Sequence, residues 1–176
     1  MYILNPYEDS HLYRQGSYSR SAAVNYAVTY ALKPNPGYRY FPIVNDSSGD
    51  CANFISQCLH AGGAPMTYNP KYSWWYTGNK WSVSWTVAHS LYWYLKINQS
   101  NKYPAVKGLE VSNASMLEPG DLILFEDNKG LIFHSAIVTG FSGSIPLVSH
   151  HSYEALNIPY TRSWGASKYH FLKISI

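Results

Sequence analysis

Chemistry in this chain starts from Cys51, in the run Gly49-Asp50-Cys51-Ala52-Asn53-Phe54-Ile55-Ser56-Gln57-Cys58-Leu59. Cys51, Phe54, Ile55, Cys58 and Leu59 recur at the i, i+3, i+4, i+7, i+8 spacing of a helix with one buried face. Asp50 stands where an N-cap belongs, and Gly62-Gly63 supply the stop. A thiol in the first turn feels unpaired backbone N–H groups and the positive end of the helix dipole, which favour the nucleophilic thiolate. The Asp50 carboxylate opposes that shift unless its charge is spent on N–H donors. Read without chemistry, Cys51 is a small hydrophobe on a core stripe.

A nucleophilic thiol needs a base. Of seven histidines, His134 is the best placed. In an extended run it shares a face with Ala136 and Val138, so its imidazole projects from the start of a buried strand. His150 and His151 end the next strand, and in a hairpin one of the two faces the same way as His134 and can orient its ring. The backbone N–H of Cys51 is an expected oxyanion donor, with Asn45 a candidate for a second. A metal site from His134, His150 and His151 lacks the spacing of known ligand motifs, and no glycine-rich loop supports nucleotide binding. The expectation is a site without metal or cofactor.

These residues need a scaffold. A chain of 176 residues reads as one domain over 1–176. A net charge of +3 with 13% charged residues offers no basic stripe for nucleic acid. No apolar stretch approaches 18 residues and the N-terminus lacks a signal-like pattern, so neither a membrane span nor a signal peptide is read. The compartment stays open: cytoplasm, or the wall or exterior where a signal has been removed. Cys51 and Cys58 lie about 10 Å apart on one helix, beyond the roughly 7 Å that a disulfide spans, so both thiols are expected free.

Helices come first in the pattern. Ser19 to Lys33 carries Ala23, Tyr26, Ala27, Tyr30 and Ala31 on one face and ends before Pro34. The cysteine helix follows a loop through Pro36-Gly37 to Gly49. A third helix starts near Ser84 with Val87, Leu91, Tyr94 and Leu95 inward. Between them, Tyr68 to Trp85 holds seven Tyr or Trp in eighteen residues without a sustained period. It is expected to form a wall of the substrate cleft, since these rings pair an apolar body with a polar handle. Strands follow: Leu122 to Phe125 after a type II turn at Pro119-Gly120, then Ile132 to Phe141, Pro146 to Ser152 and Tyr169 to Ile176. Helices before an antiparallel sheet define an α+β domain.

Taken in order, Asp50-Cys51-Ala52-Asn53-Phe54-Ile55-Ser56-Gln57, Ser84-Trp85-Thr86, Leu117-Glu118-Pro119-Gly120-Asp121-Leu122-Ile123, His134-Ser135-Ala136-Ile137-Val138 and His151-Ser152 resemble the bacterial putative amidase domain family across residues 18 to 175. That family is similar to the CHAP and NlpC/P60 cell-wall amidases and endopeptidases. The resemblance implies a papain-like fold, with the catalytic cysteine at a helix N-terminus packed on an antiparallel sheet. It implies Cys51 as nucleophile, His134 as general base and then acid, and His151 as third member, with His150 and Glu154 as substitutes. The implied activity is a cysteine amidase or endopeptidase acting on a peptide or peptidoglycan substrate. The competing reading from another class is a silent cell-wall or glycan-binding module on the same fold.

Overall fold

The computed structural model describes residues 16–45 and 47–176, with the backbone alone for 47 and 48. Asp46 and the first fifteen residues of the expected 1–176 domain lie outside the described residues. The chain opens with α1 (Arg20–Tyr30), capped by the Ser19 hydroxyl, which accepts the Ala22 N–H at 3.3 Å. Ala23, Ala27 and Ala31 form its buried stripe, and such small side chains let it pack closely on the cysteine helix. A short hairpin, β1 (Ile43–Val44) with β2 (Ser47–Ser48), occupies the expected loop. Next comes α2 (Cys51–Ala61). It ends at Gly62, where a Cβ would lie 2.4 Å from the Tyr18 ring, so the chain can turn there only with glycine.

The helix α2 is buried on all sides from Cys51 through Leu59, not on one face. Its polar residues are covered by the aromatic segment. The Trp74 indole donates to the Ser56 hydroxyl at 3.0 Å, the Trp85 indole donates to Asn53 Oδ1 at 2.9 Å, and Ser56 donates onward to the Trp85 carbonyl. That segment folds as β3 (Tyr76–Thr77), β4 (Lys80–Trp81) and a single turn, α3 (Val83–Thr86). Then α4 (Ala88–Asn101) buries Leu91, Tyr94 and Leu95 as expected, whereas Val87 precedes it and is exposed.

The remainder builds one six-stranded antiparallel sheet from β5 (Lys107–Val111), β6 (Leu122–Glu126), β7 (Ile132–Ser142), β8 (Ile145–His150), β9 (Ala155–Pro159) and β10 (Lys168–Ser175). Their spatial order is β5-β10-β6-β7-β8-β9. The α+β class with helices before an antiparallel sheet is therefore observed. Leu122, Leu124, Ile137, Leu172 and Ile174 face the helices, and Ile123, Phe125, Ala136, Val138 and Val148 build a second apolar cluster. The turn before β6 has the type II form: the Asp121 N–H donates to the Glu118 carbonyl and Gly120 has φ +93°. Asp121 is buried and accepts from Arg20 at 2.6 Å, from the Ile174 N–H and from the Glu118 N–H, tying α1 to the sheet. Among the described residues no helix is long and apolar enough to cross a membrane.

Candidate active site

One cleft of about 590 Å³ opens beside the N-terminus of α2. Cys51 borders it from the helix, Thr86 to His89 from the junction of α3 and α4, and Leu131 to His134 from the start of β7. Ser152 and Trp164 complete the opposite side. Cys51 and His134, the nucleophile and base expected from sequence, thus share one cavity. Both cysteines are free, as expected.

The strand geometry decides how they approach. At the start of β7 the register shifts, Phe125 pairing with His134 and Glu126 with Ile132, so that Phe133 is an extra residue. Successive strand residues point to opposite faces. Ser135 therefore faces the helices beside Cys51, its buried hydroxyl oxygen without a hydrogen-bond partner. His134 lies on the Phe125 side and borders the cleft from the strand end. The shared face with Ala136 and Val138 is observed. That face is the one away from α2, so the imidazole does not sit directly over the cysteine helix.

Packing holds the His134 ring in place. Its centroid lies 5.0 Å from Phe125, 6.0 Å from Trp164 and 4.5 Å from His150, the last edge-on at 86°. Nε2 is buried and has no hydrogen-bond partner. Burial pushes the His134 imidazole well below its ordinary range, and the neighbouring His150 pushes the same way.

Burial likewise raises the Cys51 thiol above its usual value. The Ser135 hydroxyl and the N–H groups of Ser135 and Ala52 oppose this only in part, and the Asp50 charge adds to it. The sequence expectation of a favoured thiolate is corrected here: Cys51, a residue 7% exposed, loses more by desolvation than it gains at the helix terminus.

Asp50 occupies the N-cap position without capping. Its Oδ1 accepts from the Phe41 N–H at 3.0 Å and the Asn53 amide at 2.8 Å, and its Oδ2 accepts from His151 Nδ1 at 2.5 Å. The second nitrogen of His151 donates to the Tyr30 carbonyl at 2.8 Å, and its ring stacks 4.0 Å from Phe54. Both ring nitrogens thus face acceptors. His151 joins α1, α2 and the end of β8, and it does not reach His134.

The histidine that meets the His134 ring is His150. Its Nδ1 lies 3.2 Å from the His151 carbonyl and its Nε2 2.8 Å from the Ser163 hydroxyl. With Nδ1–H donating, Nε2 accepts from Ser163. Burial holds the His150 pKa down to about 4. Glu154 accepts from the Tyr40 hydroxyl at 2.6 Å and is not among the cleft residues.

Two further expectations move. Asn45 borders a shallower neighbouring hollow with Tyr40 and Tyr153, not the cleft that holds Cys51. Nor does any residue from Tyr68 to Trp85 border that cleft; Trp74 and Trp85 are fully buried with ring centroids 4.6 Å apart. Trp74, Tyr76 and Trp85 are core, the two indoles donating to Ser56 and Asn53 of α2, whereas Tyr68 is exposed and Tyr72, Trp75 and Trp81 are partly buried away from the cleft. Ser135, Trp164 and His89 are site residues that sequence reading missed. His89 accepts the Ile132 N–H on Nδ1 at 3.1 Å, fixing α4 to the first residue of β7.

An α+β domain with a buried cysteine at a helix start and a histidine on one cleft is consistent with the family comparison. The chain belongs to the family described as "Putative amidase domain", whose model matches residues 17–174. That description points to an amide hydrolase.

Among curated proteins the chain is similar to "Uncharacterized protein YhbB" of Bacillus subtilis (strain 168), 41% identical over 146 residues, which is 81% of this chain and 44% of that protein. It is also similar to "Uncharacterized protein YjcM" of the same organism, 33% identical over 160 residues, 86% of this chain and 34% of that protein. The chain therefore spans less than half the length of these relatives. No solved structure gives a significant match.

Proposed function

We propose that this domain is a cysteine-dependent amide hydrolase of the papain-like kind, related to the CHAP and NlpC/P60 enzymes, that cleaves peptide bonds of the bacterial cell wall. The observation that carries the reading is the opening of Cys51 and His134 onto one cleft. The wall substrate rests on the family resemblance, and it implies work outside the cytoplasm.

With the thiol raised and the imidazole lowered, the resting pair is neutral. His134 therefore takes the thiol proton as Cys51 attacks the amide carbonyl, forming the C–S bond. The tetrahedral oxyanion meets the backbone N–H at the start of α2. His134 then returns the proton to the leaving amine, and water releases the acyl group from sulfur. In this reading His150 and Trp164 act as positioning residues that fix the ring by contact.

The test is incubation of purified protein with peptidoglycan and mass spectrometry of the released fragments. Wild type should yield new amine and carboxyl termini, Cys51→Ala none, and His134→Gln roughly 10² to 10⁴-fold less. Fragments of undiminished yield from Cys51→Ala would refute it.

A further inference from the structure

Among the described residues, no Asp, Glu, Lys or Arg lines the cleft. Its surface is carried mainly by Phe41, Ile43, Val87, Leu131, Phe133 and Trp164. Val87 and Leu131 stand at 44% and 49% exposure, so apolar area faces the open space. Such area is costly to hydrate, and burying it under a substrate is favourable. The polar groups that remain are Thr86, His89, Ser152 and the proposed reacting pair.

Charges that flank the cleft are engaged: the Asp50 carboxylate accepts from the Phe41 N–H, Asn53 and His151, and Asp127 accepts the Leu131 N–H at 2.9 Å. The Arg39 guanidinium lies 5.6 Å over the Phe41 ring and 5.5 Å over Trp81, held by the two rings. The Glu154 carboxylate is held by Tyr40. A charged side chain entering this cleft would shed water without meeting an opposite charge among the residues that line it.

We infer that the substrate carries an uncharged, apolar side chain next to the scissile amide, and that a charged residue there is excluded. This rests on the hydrolase reading above and narrows it. Of two bonds in one wall peptide, the domain selects the one whose neighbours are uncharged.

The experiment uses quenched-fluorescence peptides, each with one amide flanked by Leu, Phe, Glu or Lys on either side. The apolar set should exceed the charged set in kcat/KM by roughly a hundredfold or more, the expected penalty for a desolvated, unpaired charge. Leu131→Lys, a change at a half-exposed position, should raise kcat/KM for the Glu-flanked peptide by roughly tenfold while lowering it for the Lys-flanked one.

A second arm does not depend on turnover. Peptide aldehydes with the same flanks, which add reversibly to thiols, are scored by protection of Cys51 from iodoacetamide. If no amide is cleaved but apolar aldehydes protect selectively, the hydrolase reading fails while the preference of the cleft for uncharged, apolar side chains stands. Equal treatment of charged and apolar flanks, or protection by no aldehyde, would overturn it. A preference for Glu would also overturn it and assign Arg39 to substrate binding.

Discussion

Replacing His151 by alanine separates a structural histidine from those proposed to take part in catalysis. In the wild type Asp50 is 1% exposed and its carboxylate has three donors, of which His151 is the closest at 2.5 Å. The substitution removes one charge-assisted hydrogen bond, about 1.5–3 kcal/mol. It frees the Tyr30 carbonyl and removes the stack on Phe54, which adds about 1–2 kcal/mol. The total of about 2.5–5 kcal/mol overlaps the usual loss of about 3–5 kcal/mol when one member of a buried pair is removed.

The assay is urea unfolding at pH 7, with turnover measured in the cold where the variant remains folded. His151→Ala should lower stability by that amount and keep most of its turnover. His150→Ala should do the reverse in proportion: a smaller stability loss and a larger fall in kcat, since its ring lies against His134. Adding Asp50→Asn to His151→Ala should recover part of the stability, because the stranded charge is removed. A stability change under about 1 kcal/mol with a collapse in kcat would refute the structural assignment and restore His151 to the catalytic set.

Iodoacetamide should label Cys51 before Cys58, which is fully buried. Because burial raises the Cys51 thiol above its ordinary 9.0, the labelling rate should climb through pH 9; a plateau below pH 7 would show a preformed thiolate. Stability should fall as pH drops from about 6.5 towards 4. His134 and His150 are held neutral when folded, so the unfolded chain binds more protons in that window and the native advantage is lost on acidification. For His150 alone, the interval from 6.5 to about 4 corresponds to about 3 kcal/mol at 1.36 kcal/mol per pH unit. Flat urea midpoints between pH 7 and 4.5 would contradict this.

What the sequence made legible follows local pattern. The helices α1 and α2, the Pro119-Gly120 turn and the strands β6, β7, β8 and β10 each carry a periodic or turn signal. β5 escaped because its inward residue is Gly108, where a Cβ would lie 3.1 Å from Leu172 and 3.2 Å from Leu95, while Leu109 points outward. β9 is an edge strand with Asn157 at φ +53° and Pro159 at its end, so it lacks alternation. The aromatic segment misled because its partners, Asn53 and Ser56, look like the solvent face of an amphipathic helix. Only the tertiary fold shows that two indoles cover them.

The choice between His150 and His151 turned on register, which no local pattern reveals. Ile137 pairs with Ser149, so the next residue, His150, shares the face of Ala136 and His134, and His151 turns to the helices. The same logic explains the neutral resting site. From His134 onward the register is regular, so Ser135 faces the helices and His134 the Phe125 side, from which it borders the cleft at the strand end with Nε2 buried and without a partner. A thiol packed against a serine and an imidazole boxed by rings have no stable ion pair to form before substrate arrives. In the proposed hydrolase, charge separation would thereby be tied to the moment of attack, inside a cleft whose apolar walls strengthen it.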